Sequence, residues 1–374
     1  MKKKWGCLIL ELIDEFKQLV EIDSASGRER AIADVLKKKL TDLGFGVLED
    51  QAGSTFGGNT GNLIAIMEGT REGSVLFCSH MDRVANGCGI QPREKDGKLV
   101  SDGNTILAAD DVSGLCAILD GVRRVLASEK PHPRLEIAFT VGEEANLWGG
   151  RALDLSQFQS PFCFVIDSPG TIGRLVNGAP GRAKLQVEVE GRAAHAGNEP
   201  EKGINAAHIL CHILDTLRDG RLDEETVSNF PLLGTGNDAT NVVCARAWAK
   251  GESRSRSGEK LQRYIDYFQD HCRRAAEGTG AHVVTRADMS FAPFLIDENA
   301  PVLQTAIRAL KDLGIQPRIE QGGGGMDANI YNAKGLPAIG VATGYTRNHT
   351  TEESLDLDSF RKSGMLIQAL IEEA

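Results

Sequence analysis

VLFCSHMD, residues 75–82, is a short apolar run that ends in an imidazole and a carboxylate. Four β-prone apolar residues without a polar interruption suit a strand buried on both faces. The runs NLIAIM (62–67), LEIAFTV (135–141) and FCFVI (162–166) have the same apolar, β-rich character. Between the second and third of these four strands, residues 112–126 place Leu115, Ile118, Leu119, Val122 and Leu126 on one helical face. Strands and helices in alternation predict an α/β layer. Upstream, residues 8–43 read as two helices. Leu8, Ile9, Leu12, Ile13, Phe16, Leu19 and Val20 carry the helical period of the first, and Ser26-Gly27-Arg28-Glu29 has the capping-box form of a start to the second.

The pattern changes after Ala179-Pro180-Gly181. Residues 185–190 alternate apolar and polar side chains, as a half-exposed antiparallel strand does. A helix at 204–217, a strand at 241–248, an amphipathic helix carrying Leu261, Tyr264, Ile265, Phe268 and Cys272, and a strand near 282–285 follow. This order suggests a ferredoxin-like β-α-β-β-α-β layer. Past Phe291-Ala292-Pro293 the α/β pattern resumes with a helix at 301–313, another after Gly322–Gly325, a strand at 337–341 and a last helix from Asp358. The expected organisation is an α/β domain in two parts, 1–178 and 292–374, interrupted by an α+β domain at 179–291.

A chain of 374 residues exceeds what one core usually serves, which agrees with two domains. Its net charge of −10 argues against nucleic acid, whose binding needs a concentrated basic surface. Met1-Lys2-Lys3-Lys4 begins like a signal peptide, but Glu11 and Asp14 interrupt the apolar stretch behind it, and no run is long enough to span a membrane. A soluble cytoplasmic protein is expected. The eight cysteines are scattered without a CxxC pair and read as buried reduced thiols of a reducing compartment.

Polar residues with chemical potential gather where strands end. His80 and Asp82 follow the first run, Glu143 and Glu144 follow 135–141, Asp167 follows 162–166, and His349 comes after the strand at 337–341. Asp110 and Asp111 precede the helix of 112–126. Each has an ordinary explanation alone: an HxD pair is common, an aspartate caps a helix, and adjacent glutamates form a solvated loop. Together they lie where α/β sheets bind ligands, beyond the carboxyl ends of the strands. Two histidines with three or four carboxylates suit a pair of ions such as zinc, cobalt or manganese.

An ordered series of motifs strengthens this reading: SHMD (79–82), DGNTILAADDVSG (102–114), GEE (142–144), FVIDSPGTIG (164–173), GRAAHAGNEPEKGINA (191–206), ATNVV (239–243), GESRS (251–255), GGGGMDAN (322–329) and NHTTEE (348–353). Over nearly its whole length the chain resembles the two-zinc peptidases and amidohydrolases, the family of peptidase T, carnosinase, aminoacylase and the glutamate carboxypeptidases. The resemblance implies a catalytic domain with a mixed central sheet flanked by helices, interrupted by a lid and dimerisation domain, and a homodimer acting on short peptides.

It also implies roles. His80 and Asp167 would hold one zinc, Glu144 and His349 the other, and Asp110 would bridge them, with cobalt or manganese as possible substitutes. Asp82 would orient His80, and Glu143 would be general base and acid toward the water shared by the metals. His195 would stabilise the oxyanion, while Asn241, Arg254 and the backbone at Gly324 would hold substrate. Asp at position 167 is similar to the aminopeptidase and dipeptidase branches, where carboxypeptidases and aminoacylases tend to have Glu. The expected activity is therefore that of an aminopeptidase or tripeptidase. A carboxypeptidase or deacylase on the same metals is the alternative, and a silent peptide-binding relative is a further one. Val112 departs from the Lys that many members carry after the paired aspartates.

Overall fold

The computed structural model describes residues 12–374. Leu8, Ile9, Cys7, Glu11 and the Met1–Lys4 run lie outside the described residues. Two compact units emerge from the contacts within the chain: one reaches to Gly178 and resumes at Leu295–Gly322 and Met326–Ala374, and the other comprises Ala179–Phe294 with Gly323–Gly325.

The sheet of the first unit runs Gly46–Glu49, Leu63–Met67, Arg134–Thr140, Ser74–His80, Cys163–Ser168, Ala338–Ala342 and Arg174–Ala179, with Arg318–Gln321 paired to the last. It is mixed. Ser74–His80 is parallel to both neighbours, whereas Leu63–Met67 runs antiparallel to both of its own, and Arg174–Ala179 is antiparallel to Ala338–Ala342 but parallel to Arg318–Gln321. Val75, Leu76, Phe77 and Cys78 are fully buried, which is why this strand has no alternation to read. Helices Arg30–Asp42, Ala109–Ser128, Pro301–Asp312 and Leu357–Glu373 close the core around Phe16, Phe77, Leu115, Phe164 and Phe360. Helices 109–128 and 357–373 pack closely because Gly121 faces Ile367 and Gly364 faces Asp120, with no room for a Cβ at either glycine.

Two features of this unit differ from expectation. Ser26–Glu29 is no capping box: Glu29 is the N-cap residue but makes no side-chain cap bond. Its Oε1 accepts the N–H groups of Gly27 and Gly142, at 2.9 and 3.0 Å, and the Ser26 hydroxyl donates to Asp82. Tertiary partners have taken the groups a local cap would have used. A small antiparallel sheet of Arg93–Lys95, Lys98–Val100, Ser354–Asp356 and Tyr345–Thr346 was not foreseen, because its strands of two or three residues are too short to show a period.

The second unit is an antiparallel sheet in the order Gly220–Arg221, Thr226–Thr235, Arg246–Ser255, Gly181–Glu190 and His282–Phe291. Helices Ala206–Thr216 and Gly258–Ala275 cover one face over Leu185, Val187, Val189, Leu210, Ile213, Leu261 and Phe268. Its main elements follow the β-α-β-β-α-β order. The strand at 226–235 carries no readable alternation because a register shift between Asn229 and Leu232 bends it at Pro231. The strand expected at 241–248 lies instead at Arg246–Ser255. Residues before it form a loop, in which the Ala196 N–H donates to the Asn241 carbonyl and the Val243 N–H to the Ala194 carbonyl, each at 3.0 Å.

The described cysteines are free thiols, but Cys88 and Cys211 are exposed rather than buried. Among the described residues, no helix is long and apolar enough to cross a membrane.

Candidate metal centre

Adjacent strand ends supply the centre. His80 is the last residue of Ser74–His80, and its register partner Thr140 closes the neighbouring strand just before Val141-Gly142-Glu143-Glu144. Asp167 lies in Cys163–Ser168 on the other side. Asp110 stands at the start of helix Ala109–Ser128, and the segment after Ala338–Ala342 delivers His349.

The two oxygens of Asp110 are divided between two imidazoles. Oδ1 lies 3.0 Å from His80 Nε2, and Oδ2 lies 3.3 Å from His349 Nε2. His349 Nε2 is also 2.9 Å from Glu144 Oε1, and His80 Nε2 is 4.0 Å from Asp167 Oδ1. Three groupings, His80–Asp110–Asp167, Asp110–Glu144–His349 and His80–Glu143–Glu144, each bring donor atoms within 4.8 Å of one another. His80, Asp110, Glu143 and Asp167 are 2 to 8% exposed, whereas the His349 side chain is 48% exposed.

The hydrogen bonds around His80 test whether this donor set fits cations. Its Nδ1 is 2.9 Å from the Asp82 carbonyl, which can only accept, so Nδ1 carries the proton. In the neutral ring the Nε2 lone pair then points at carboxylate oxygens. That arrangement is repulsive unless a proton or a cation lies between them. The electrostatics agree. Burial, and after it the charge of Asp110, pushes the Asp167 carboxyl up to about 7, and burial also raises Glu143 and Glu144. Bonds to Asp110 and Glu144 push His349 up to about 10. Burial opposes ionisation of Asp110 too, but bonds from His349 and His80 outweigh it and hold that carboxyl well below its ordinary range. Crowded acids that gather protons onto neighbouring imidazoles lack positive charge, and imidazole with carboxylate is the donor chemistry of borderline divalent ions.

Asp82 faces His80 with two groups: its carboxylate is 3.5 Å from Nδ1, and its carbonyl lies closer, at 2.9 Å. The carboxylate accepts the N–H of Glu143 at 2.9 Å and of Glu144 at 3.2 Å. The adjacent aspartates also separate by role. Asp111 turns away from the two imidazole Nε2 atoms, taking the Gly114 N–H at 3.2 Å at the helix start and the Ser79 hydroxyl. Sequence reasoning missed three supports on the His349 segment. Tyr345 donates to Asp167 at 2.8 Å, Asn348 donates to Asp110 Oδ2 at 2.6 Å, and Glu353 binds backbone near Asp110. NHTTEE was the only signal for the last two.

The remaining candidates belong to the second unit. His195 is exposed, and its Nδ1 accepts the N–H groups of Gly197 and Asn198, at 3.1 and 3.2 Å, which leaves the proton on Nε2. Asn241 is exposed beside it, through the bond from Ala196. Arg254 lies in Arg246–Ser255, where its Nε donates to Glu252 at 2.7 Å. Gly324 is exposed, with open space where a Cβ would stand and no positive φ, so neither the turn nor the packing requires glycine there.

Known proteins align with both units. The Peptidase dimerisation domain matches residues 177–280, and Peptidase family M28 matches residues 62–169. An uncharacterised Bacillus subtilis protein, YqjE, is 35% identical over 364 residues, covering 97% of this chain and 98% of its own. Aminopeptidase PepT from Bacillus cereus ATCC 10987 is 36% identical, with 98% of each chain covered and a TM-score of 0.89. A tripeptidase from Staphylococcus aureus is 31% identical, with 97% of this chain and 98% of its own covered and a TM-score of 0.92. Identity at this level along whole chains, over a centre of converging imidazoles and carboxylates, identifies the chain as a member of the peptidase T-like family of M20 metallopeptidases.

Proposed function

We propose that the protein is an aminopeptidase that cleaves tripeptides and similar short peptides beside the free amino end, using two zinc ions. The division of the Asp110 oxygens between His80 and His349 carries the two-ion part of this reading, because one carboxylate that faces two imidazoles could be shared by two ions, and the likeness to an aminopeptidase and a tripeptidase supports the substrate. His80 and Asp167 would hold one ion and Glu144 and His349 the other. Bound there, two divalent ions supply Lewis acidity toward the scissile carbonyl and toward water.

Glu143 takes the proton of the attacking water and returns it to the leaving amine. Burial raises its carboxyl above the ordinary range, and its place beside Glu144 and His80 puts it at the centre where that proton would be exchanged. The Asp82 carboxylate holds the Glu143 and Glu144 backbone, and its carbonyl fixes the His80 tautomer. His195 donates Nε2–H to the developing oxyanion, a role its tautomer supports. Asn241, Arg254 and the Gly324 backbone hold the peptide, Arg254 through a carboxylate. The inserted unit carries the match to a dimerisation domain and would pair two copies, and free thiols suit the cytoplasm.

Metal analysis combined with hydrolysis of matched tripeptides, one free and one acetylated at its N-terminus, tests the reading. The expected result is two ions per chain and cleavage of the free peptide alone. Robust cleavage of the acetylated peptide would overturn the aminopeptidase reading in favour of a carboxypeptidase or deacylase.

A further inference from the structure

The chain enters Asp110 by an unusual path, and a side chain from the opposite end of the sequence dictates it. Glu353 is 1% exposed. Its Oε2 accepts the N–H groups of Leu107 and Ala108, each at 2.8 Å, and its Oε1 accepts that of Asp110 at 3.0 Å. Between these donors Ala108 has a φ of +57°, the left-handed region that side chains other than glycine seldom adopt. Such a conformation persists only where its surroundings impose it. Three N–H groups converging on one carboxylate do so here.

We infer that Glu353 is a positioning residue for the metal centre: by gathering the N–H groups of Leu107, Ala108 and Asp110 it aims the Asp110 oxygens at the two histidines. This rests on the reading of Asp110 as a shared metal ligand. The same segment carries His349, and the Asp356 N–H donates to the Gly344 carbonyl at 3.0 Å across it. Glu353 therefore ties the two stretches that face each other through Asp110 and His349. A carboxylate is needed because two oxygens serve three donors. Glutamine at this position turns an N–H₂ group toward at least one of them, leaving a buried donor facing a donor.

The test compares wild type with Glu353→Gln and Asp110→Asn. Zinc and cobalt affinity are measured by chelator competition on the folded proteins, the cobalt absorption spectrum is recorded, and kcat and KM are measured on a tripeptide. Glu353→Gln should bind metal about 10- to 100-fold more weakly. Its cobalt spectrum should change, and kcat should fall with KM nearly unmoved. Wild-type affinity and spectrum in Glu353→Gln, with metal lost in Asp110→Asn, would overturn the positioning role and leave the metal reading standing. Wild-type affinity in Asp110→Asn would overturn both. If Glu353→Gln does not fold, Ala108→Gly/Glu353→Gln replaces it, since glycine adopts the left-handed conformation freely, with Ala108→Gly as its reference. Equal metal affinity in that pair would overturn the inference.

Discussion

The Asp82 carboxylate holds Glu143 by its main chain: Oδ1 accepts the Glu143 N–H at 2.9 Å, while Oδ2 accepts that of Glu144 at 3.2 Å and the Ser26 hydroxyl at 2.5 Å. One buried side chain thus places both neighbouring glutamates. Asp82→Asn would set an amide group against some of these donors, so kcat should fall about 10- to 100-fold. Ser26→Ala removes one bond and should cost less. Kinetics on a tripeptide decide, and wild-type kcat in Asp82→Asn would refute this placement role.

Glu143 is 8% exposed and makes no bond to either histidine ring in this arrangement, unlike Glu144. Glu143→Gln should therefore keep its metal while losing about 10²- to 10⁴-fold in kcat. Metal content and turnover are measured on the same preparation. Substantial hydrolysis with metal retained would remove Glu143 as the base.

Gly121 lies against Ile367 with no room for a methyl group. Alanine gains about 1 kcal/mol in helix propensity, but overpacking a tight core costs about 1–3 kcal/mol. Ile367 is β-branched at the point of contact and cannot swing aside, so the cost should win. Gly121→Ala should lower the midpoint of thermal unfolding. An unchanged or higher midpoint would show that the two helices can separate cheaply.

Arg30 binds Glu49 and, through that hydrogen bond above all, lowers its carboxyl from 4.5 to about 2. A carboxyl depressed on folding contributes stability that is fully present above its unfolded value and is lost as pH falls from 4.5 toward 2. The Arg30 and Glu49 side chains are 36 and 22% exposed, so solvent screening keeps the contribution to about 1 kcal/mol or less. Arg30→Gln should unfold more readily than wild type at neutral pH, and the gap should narrow through that acid range. A gap independent of pH would assign the effect of Arg30 to packing.

How far each element was legible depended on where its partners lie. The strand at Ser74–His80 was readable because burial on both faces writes itself as an unbroken apolar run. Thr226–Thr235 was not, because the register shift at Pro231 erases the alternation. Ser26–Glu29 had the letters of a capping box, but Asp82 and Gly142 compete for those groups and win. Such competition is invisible within a four-residue window.

The sequence by itself determined the strands, most of the helices, the interruption of one domain by another and the polar residues that follow the strand ends. These are properties of each residue's own surroundings, and burial leaves a local period. The resemblance singled out Asp110, but only the tertiary structure gives the reason that it and not Asp111 faces the two imidazoles, and the tertiary structure alone decided that the Asp82 carboxylate serves Glu143 while its carbonyl serves His80. It also decided that Glu353 shapes the approach to Asp110 from 243 positions away. Adjacent acids have the same composition and nearly the same neighbours in sequence. What separates them is which buried N–H or imidazole each can reach, and that depends on packing between segments far apart in the chain.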